Sequence, residues 1–237
     1  MQRYFIGYLA IILFSFHLFT GCSSTEVNEG DPKAVYEDAE DDVKNDRYQL
    51  AIDKLRKVKS KFPYSSYSVL AQLKIADVYF LQESFSEAAL SYETFEELHP
   101  NHPQAPYAAW KIGESHFMAH PTNIARDQTS AAEALEAFER FVRKYPKHER
   151  TPEAQKRIDE ILDILAEKEL YIGNFYFKRD YFESSYGRYQ TILSNYKTSS
   201  SSGSAQKSMD DVKEHVEKNR NDPPKTENGT PKYFIYK

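Results

Sequence analysis

Cysteine is nearly missing from this chain: Cys22 is the only one in 237 residues. A single thiol cannot close an internal disulfide, and no cysteine pair is present for a zinc ribbon or a dithiol redox centre. Glycine is scarce as well, at 8 residues, and none falls in a phosphate-cradling loop. The sequence has neither a zinc-protease pair of histidines around a glutamate nor a nucleophile elbow. Blocks of one charge are also lacking. The 31 basic and 36 acidic residues are interspersed and leave a net charge of −5. That excludes an electrostatic footprint for nucleic acid and gives the body no reason to adhere to anionic lipid.

The remaining composition is that of a globular body, 40% hydrophobic and 28% charged. Its 11 prolines mostly separate periodic segments, which favours helices joined by short turns. The one long apolar run, Tyr4 to Thr20 behind Arg3, is short for a membrane span, which takes about 20 residues. Small residues then precede the cysteine, as at a signal cleavage site. Thr20-Gly21-Cys22 resembles the lipobox of bacterial lipoproteins, with Phe19 where leucine is usual. Residues 1–21 are therefore expected to be a lipoprotein signal peptide, with Cys22 as the lipidation site. The alternative is an ordinary secretory signal with an incidental cysteine. Ser23, rather than aspartate, follows the cysteine, and by likeness to bacterial sorting this implies the periplasmic face of the outer membrane. Polar residues 22–31 read as a flexible lipid-anchored leash.

A repeat runs through the next 165 or so residues. Leu55, Tyr92, Phe138 and Tyr189 each stand three before Val58, Phe95, Phe141 and Ile192. Four further on come Phe62, His99, Tyr145 and Tyr196, the first three followed by proline. Ala51, Ala88, Ala134 and Ser185 lie four before the first set. Steps of three and four keep these residues on one helical face, and the proline stops the helix. A preceding helix carries a small residue, Ala39, Ala76, Gly113 or Gly173, where two helices can cross closely. Pro63 and Pro100 are 37 residues apart, near the tetratricopeptide period of about 34. The expected fold is all-α: a right-handed α-solenoid of tetratricopeptide-like helix pairs, about four and a half units over residues 32–219. Residues 220–237, with Pro223-Pro224 and the aromatic Tyr233 to Tyr236, are expected to be a disordered tail.

Two departures from the repeat are visible. Extra residues around His120-Pro121 expand the loop of the third unit, and 14 extra residues precede Gly173. Two heptads keep the helical face in phase, so one helix from about Pro152 to Lys178 is expected, roughly 40 Å long.

No catalytic, metal or cofactor site is expected. His116 and His120, four apart, and the nearby His99 and His102 lack a complete metal-binding spacing and read as helix-end or loop histidines. The acidic run Glu37 to Asp42 reads as a solvated face. A curved helical stack offers binding instead, and Tyr64 and Tyr67, after Pro63, are candidates for a substrate or partner groove.

From Arg126 onward the chain resembles the BamD (ComL) family of outer-membrane protein assembly factors. The likeness is carried by Arg126-Asp127-Gln128-Thr129, by Arg157-Ile158 through Lys178-Arg179, by the Phe62 to Ser68 turn and by the lipobox. It implies a non-enzymatic, lipid-anchored periplasmic scaffold of the barrel-assembly (BAM) complex. Such a scaffold binds the POTRA region of a BamA-like barrel and C-terminal signals of unfolded outer-membrane proteins, alongside other BAM lipoproteins. Arg188 corresponds to the family's barrel-contacting arginine, and Tyr186 beside it is a further candidate for that contact. The other reading is a tetratricopeptide lipoprotein of another envelope assembly, a secretin pilot or a cell-wall synthesis coordinator.

Overall fold

A computed structural model of the chain describes residues 28–221, with side chains to residue 217. The signal segment, Cys22 and the aromatic tail lie outside the described residues. Nine helices and no strand occur among them. Four pairs are followed by a single helix: α1 Pro32–Lys44 with α2 Tyr48–Lys61, α3 Ser66–Leu81 with α4 Phe85–Leu98, α5 Ala105–Ala119 with α6 Thr129–Lys144, and α7 Thr151–Phe177 with α8 Phe182–Asn195, then α9 Ser202–Asn221. Each helix packs on the next in sequence, and α1 also touches α3, as α7 touches α9. Every unit thus meets its neighbours only, which is the architecture of an α-solenoid.

The repeat register is written into the core. Ala39, Ala76, Ala51, Ala88 and Ala134 are fully buried, as are Leu55, Tyr92, Phe138 and Tyr189. The small residue exists to admit the ring opposite. A Cβ on Gly113 would stand 2.7 Å from the Phe138 ring, and one on Gly173 would stand 2.5 Å from Tyr189. Both distances are below any ordinary contact, so the two helices cross this closely only because glycine is there.

Three of the four turns inside the units are one device. Asp46, Glu83 and Asp180 hold positive φ of 57°, 62° and 61°. The next residue's N–H then reaches back across the helix end: Arg47 to the Asp42 carbonyl, Ser84 to Tyr79 and Tyr181 to Tyr176, at 2.9–3.1 Å. This is the Schellman closure with a non-glycine residue in the left-handed position. The third unit replaces it with the nine-residue loop 120–128. Helix α7 runs 27 residues, as the two extra heptads require, and is about 40 Å long.

The acidic run in α1 is not wholly a solvated face. Asp42 is 1% exposed and is clamped by Arg47 at 2.7 Å and Lys54 at 2.6 Å, while Lys54 also meets Asp38. Burial alone would raise its pKa; the two cations outweigh that and hold it below the usual carboxylate value.

Candidate partner-binding surfaces

A charge ladder joins the first helices of successive units. Ala34, Ala71, Ala108 and Ala154 lie near the start of equivalent helices; the position three residues later is basic from α3 onward, and the position six residues later is acidic from α1 onward. The third is Lys74, Lys111 or Arg157, and the sixth, beginning in α1, is Glu40, Asp77 or Glu114. The acid of one unit is placed to meet the base of the next. Glu40 reaches Lys74 at 2.9 Å and Glu114 reaches Arg157 at 3.0 Å.

The middle rung is built differently. Asp77 Oδ1 accepts hydrogen bonds from the Tyr92 hydroxyl at 2.7 Å and the Tyr107 hydroxyl at 2.8 Å. Lys111 instead lies over the Phe80 ring, 3.5 Å from its centre. The reason is the residue that crosses the small position. Leu55 and Phe138 have no hydroxyl, so Glu40 and Glu114 are free to reach forward; Tyr92 has one and captures Asp77. The same capture recurs in the fourth unit, where the Tyr189 hydroxyl donates to Asn174 at 2.8 Å. Burial raises the Asp77 pKa despite the two hydroxyls, and burial lowers that of Lys111.

Arg188, on α8, is 42% exposed on its side chain, and its Nη1 donates to both carboxylate oxygens of Glu169 on α7 at 3.0 and 3.2 Å. The pair fixes the guanidinium at the surface of the fourth unit. Tyr186, two residues earlier, is half-buried and packs on the cluster of Ala166, Tyr189, Ile192 and Val212. The sequence pairs Arg188 with Tyr186 as one contact, yet only the arginine presents its functional end with a defined polar partner. Tyr64 is fully exposed in the turn between α2 and α3. Tyr67 lies inside α3, half-buried, with its ring 5.5 Å from that of Tyr36 and against the core of the first unit. Tyr64 and Tyr67 therefore stand in different environments.

The histidines order turns or bridge neighbouring helices. His102 Nδ1 accepts from the Gln104 N–H at 3.1 Å and His148 Nδ1 from the Arg150 N–H at 3.2 Å. Ser65 does the same for Tyr67 at the equivalent position. These side chains order the turn into each first helix. His116, 18% exposed, sits between Glu133 at 3.1 Å and Glu93 at 3.7 Å. His120 bonds the Phe117 carbonyl. No cluster of three or more metal-ligating side chains occurs among the described residues.

Sequence reasoning missed the anchor of the expanded loop. Lys168 Nζ donates to the carbonyls of Ile124, Ala125 and Arg126 at 3.0, 3.0 and 2.8 Å. Gln128 is buried at the other side of the loop and donates to the carbonyls of Pro121 and Asn123. The loop is thereby held as a fixed protrusion, with Arg126 and Asp127 on its surface.

Comparison with known proteins agrees with this architecture. The profile of a family described as YfiO, outer membrane lipoprotein, matches residues 28–224. Relatives named outer membrane protein assembly factor BamD are 26% identical to the chain. The one from Caulobacter vibrioides aligns over 166 residues, 70% of this chain and 54% of its own length. The one from Vibrio cholerae aligns over 195, covering 78% and 81%, and that from Neisseria meningitidis serogroup B over 171, covering 68% and 64%. The chain thus spans about half the length of the Caulobacter relative, just under two thirds of the Neisseria one and about four fifths of the Vibrio one. With its helix pairs, its long α7 and a match over most of its residues, the chain belongs to the YfiO family of outer membrane lipoproteins.

Proposed function

We propose that this chain is a non-catalytic scaffold for outer-membrane protein assembly, held by lipid at the periplasmic face of the outer membrane. The observation that carries the reading is the likeness, over most of the helical body, to relatives that are themselves named assembly factor BamD. Cys22, six residues before the first described one, is the acylation site. Each buried methylene contributes about 0.8 kcal/mol, so several acyl chains hold where one is marginal.

In this reading the solenoid binds the POTRA region of a BamA-like barrel through its fourth unit. Arg188 supplies the charge, already aimed by Glu169, and Tyr186 supports the helix it stands on. Unfolded outer-membrane proteins meet the N-terminal units, where Tyr64 offers an exposed ring. Tethering raises the effective concentration of a weakly held chain at the insertion site.

Arg188→Glu tests the contact. Glu169 is only 18% exposed, so facing it with a second carboxylate should cost about 1–2 kcal/mol and lower Tm by several degrees while the repeats stay folded. Co-purification of a BamA-like barrel from crosslinked envelopes should fall severalfold. Unchanged co-purification removes Arg188 from the interface. A secretin in place of the barrel with the unaltered chain would overturn the scaffold reading in favour of a pilot lipoprotein.

A further inference from the structure

Two grooves between second helices of neighbouring units occupy the same place in the repeat, yet their walls differ in charge. The groove between α4 and α6 encloses about 530 Å3. Its α4 wall carries Glu93, Glu96 and Glu97, and its α6 wall carries Arg140 and Lys144. Lys144 crosses to Glu96 at 2.7 Å, so this groove is closed by its own charges.

The groove between α2 and α4 encloses about 250 Å3, with Tyr79 and the buried Ile75 and Phe95 at its floor. One wall is Arg56 and Lys59, each 37 residues before Glu93 and Glu96 of the closed groove. The facing wall has no acid to answer them: Leu90, Ser91 and Thr94 stand there. Arg56 turns to Asp53 of its own helix at 3.8 Å and donates to the Tyr79 hydroxyl at 2.8 Å. Lys59 is half-buried and has no carboxylate within 4.0 Å among the described residues. Leu90 is 65% exposed and Leu98, two turns along the same α4 stripe, is 62% exposed. Large aliphatic side chains left this open beside Lys59, a cation with no carboxylate to meet it, are an unfinished contact.

We propose that the groove between α2 and α4 is a docking site for an acidic amphipathic segment of another polypeptide. Its apolar side chains lie on Leu90 and Leu98, and its carboxylates meet Lys59 and Arg56. Charge complementarity selects the occupant: the site offers two cations and a leucine stripe, so the partner must bring acids at the spacing of its apolar anchors. The molecule itself supplies this solution one unit along, where α6 brings the countercharge that α4 needs. The assignment is independent of Arg188 and of the barrel contact.

The test uses the purified full-length chain and a labelled 14-residue peptide with Leu and Glu at helical spacing. A second peptide with Lys in place of every Glu serves as its control. Binding of the acidic peptide, read by fluorescence anisotropy, should weaken about tenfold or more in Lys59→Glu and in Leu90→Ser. It should also weaken between 50 and 500 mM salt, and should not change in Arg140→Glu, which alters only the closed groove. Leu90 is exposed enough that Leu90→Ser keeps the Tm, so that variant decides the matter even if Lys59→Glu unfolds. Equal binding of the lysine peptide, or unchanged binding in Leu90→Ser, overturns the proposal. So does a loss of self-association in Leu90→Ser, which assigns the face to a second copy. Loss of phosphatidylglycerol-vesicle binding in Lys59→Glu, with no peptide bound by the unaltered chain, assigns it to lipid and equally overturns it.

Discussion

At the joint between the third and fourth units, Glu114 crosses to Arg157; at the joint before it, Asp77 is met by two phenol hydroxyls and Lys111 rests on a ring. The two acids occupy the same register, 37 residues apart. What separates them is the residue opposite the small position, Phe138 in one case and Tyr92 in the other. Tyr107, on the first helix of the third unit, then carries the link across the middle joint as a hydrogen bond to Asp77. One joint is ionic and the other rests on a phenol. A repeat can therefore vary its coupling without altering its backbone.

The largest effect should come from breaking the close approach that frames the ionic joint. In Gly113→Ala the new methyl meets the Phe138 ring at 2.7 Å, and that ring is fully buried and cannot yield. Overpacking of this kind costs about 1–3 kcal/mol, a fall in Tm of roughly 3–10 °C in a thermal melt. The same substitution is already native in the second unit, where Ala76 faces Tyr92.

A smaller contrast should separate the two cations. Arg157→Met leaves Glu114, which is 14% exposed, without its partner, and should cost about 1–2 kcal/mol by denaturant unfolding. Lys111→Met removes a half-buried ammonium with no ion pair among the described residues, and a methionine there keeps the contact with Phe80. Its effect should be within about 0.5 kcal/mol of zero or stabilising. Equal losses in the two variants would show that Lys111 is bonded to Asp77 in solution, and the contrast between the joints would vanish.

The smallest effect is a change of slope with pH. Asp77 has a folded pKa above its unfolded one, so its charged form costs stability at neutral pH. That cost disappears as pH falls through the raised value toward the ordinary carboxylate range. Asp77→Asn keeps an oxygen for the tyrosine hydroxyls and removes the charge. Relative to the unaltered chain it should gain most at pH 7 and least near pH 4. Asp42 has the opposite sign, because its depressed pKa lends stability that is lost as acid protonates it.

Much of this architecture could be read from residue spacing. The small, aromatic and proline positions mark each helix pair, and two added heptads reveal the length of α7, because periodicity reports which face is buried. Spacing is silent on which side chain across a helix boundary will claim a given charge. Asp42 lies within an acidic run and looks solvated, yet its burial depends on Arg47 and Lys54 from the next turn and helix. Tyr67 follows a turn and looks exposed, yet α3 already includes it and rotates it toward Tyr36. The forward-reaching ladder did leave a trace, in the 37-residue recurrence of Glu40, Asp77 and Glu114 and of Lys74 and Lys111. The three-carbonyl seat of Lys168 left none, since backbone acceptors have no letter in the alphabet.

That seat ties the two irregularities of the chain into one piece of engineering. Shortening α7 to the length of its sister helices would withdraw the ammonium and strand three acceptors at the rim of the protruding segment. Cutting the protrusion back to a tight corner would leave a lysine with nothing to hold. Grafting, trimming or swapping units in this protein must therefore move residues 120–128 and the second half of α7 as a single cassette.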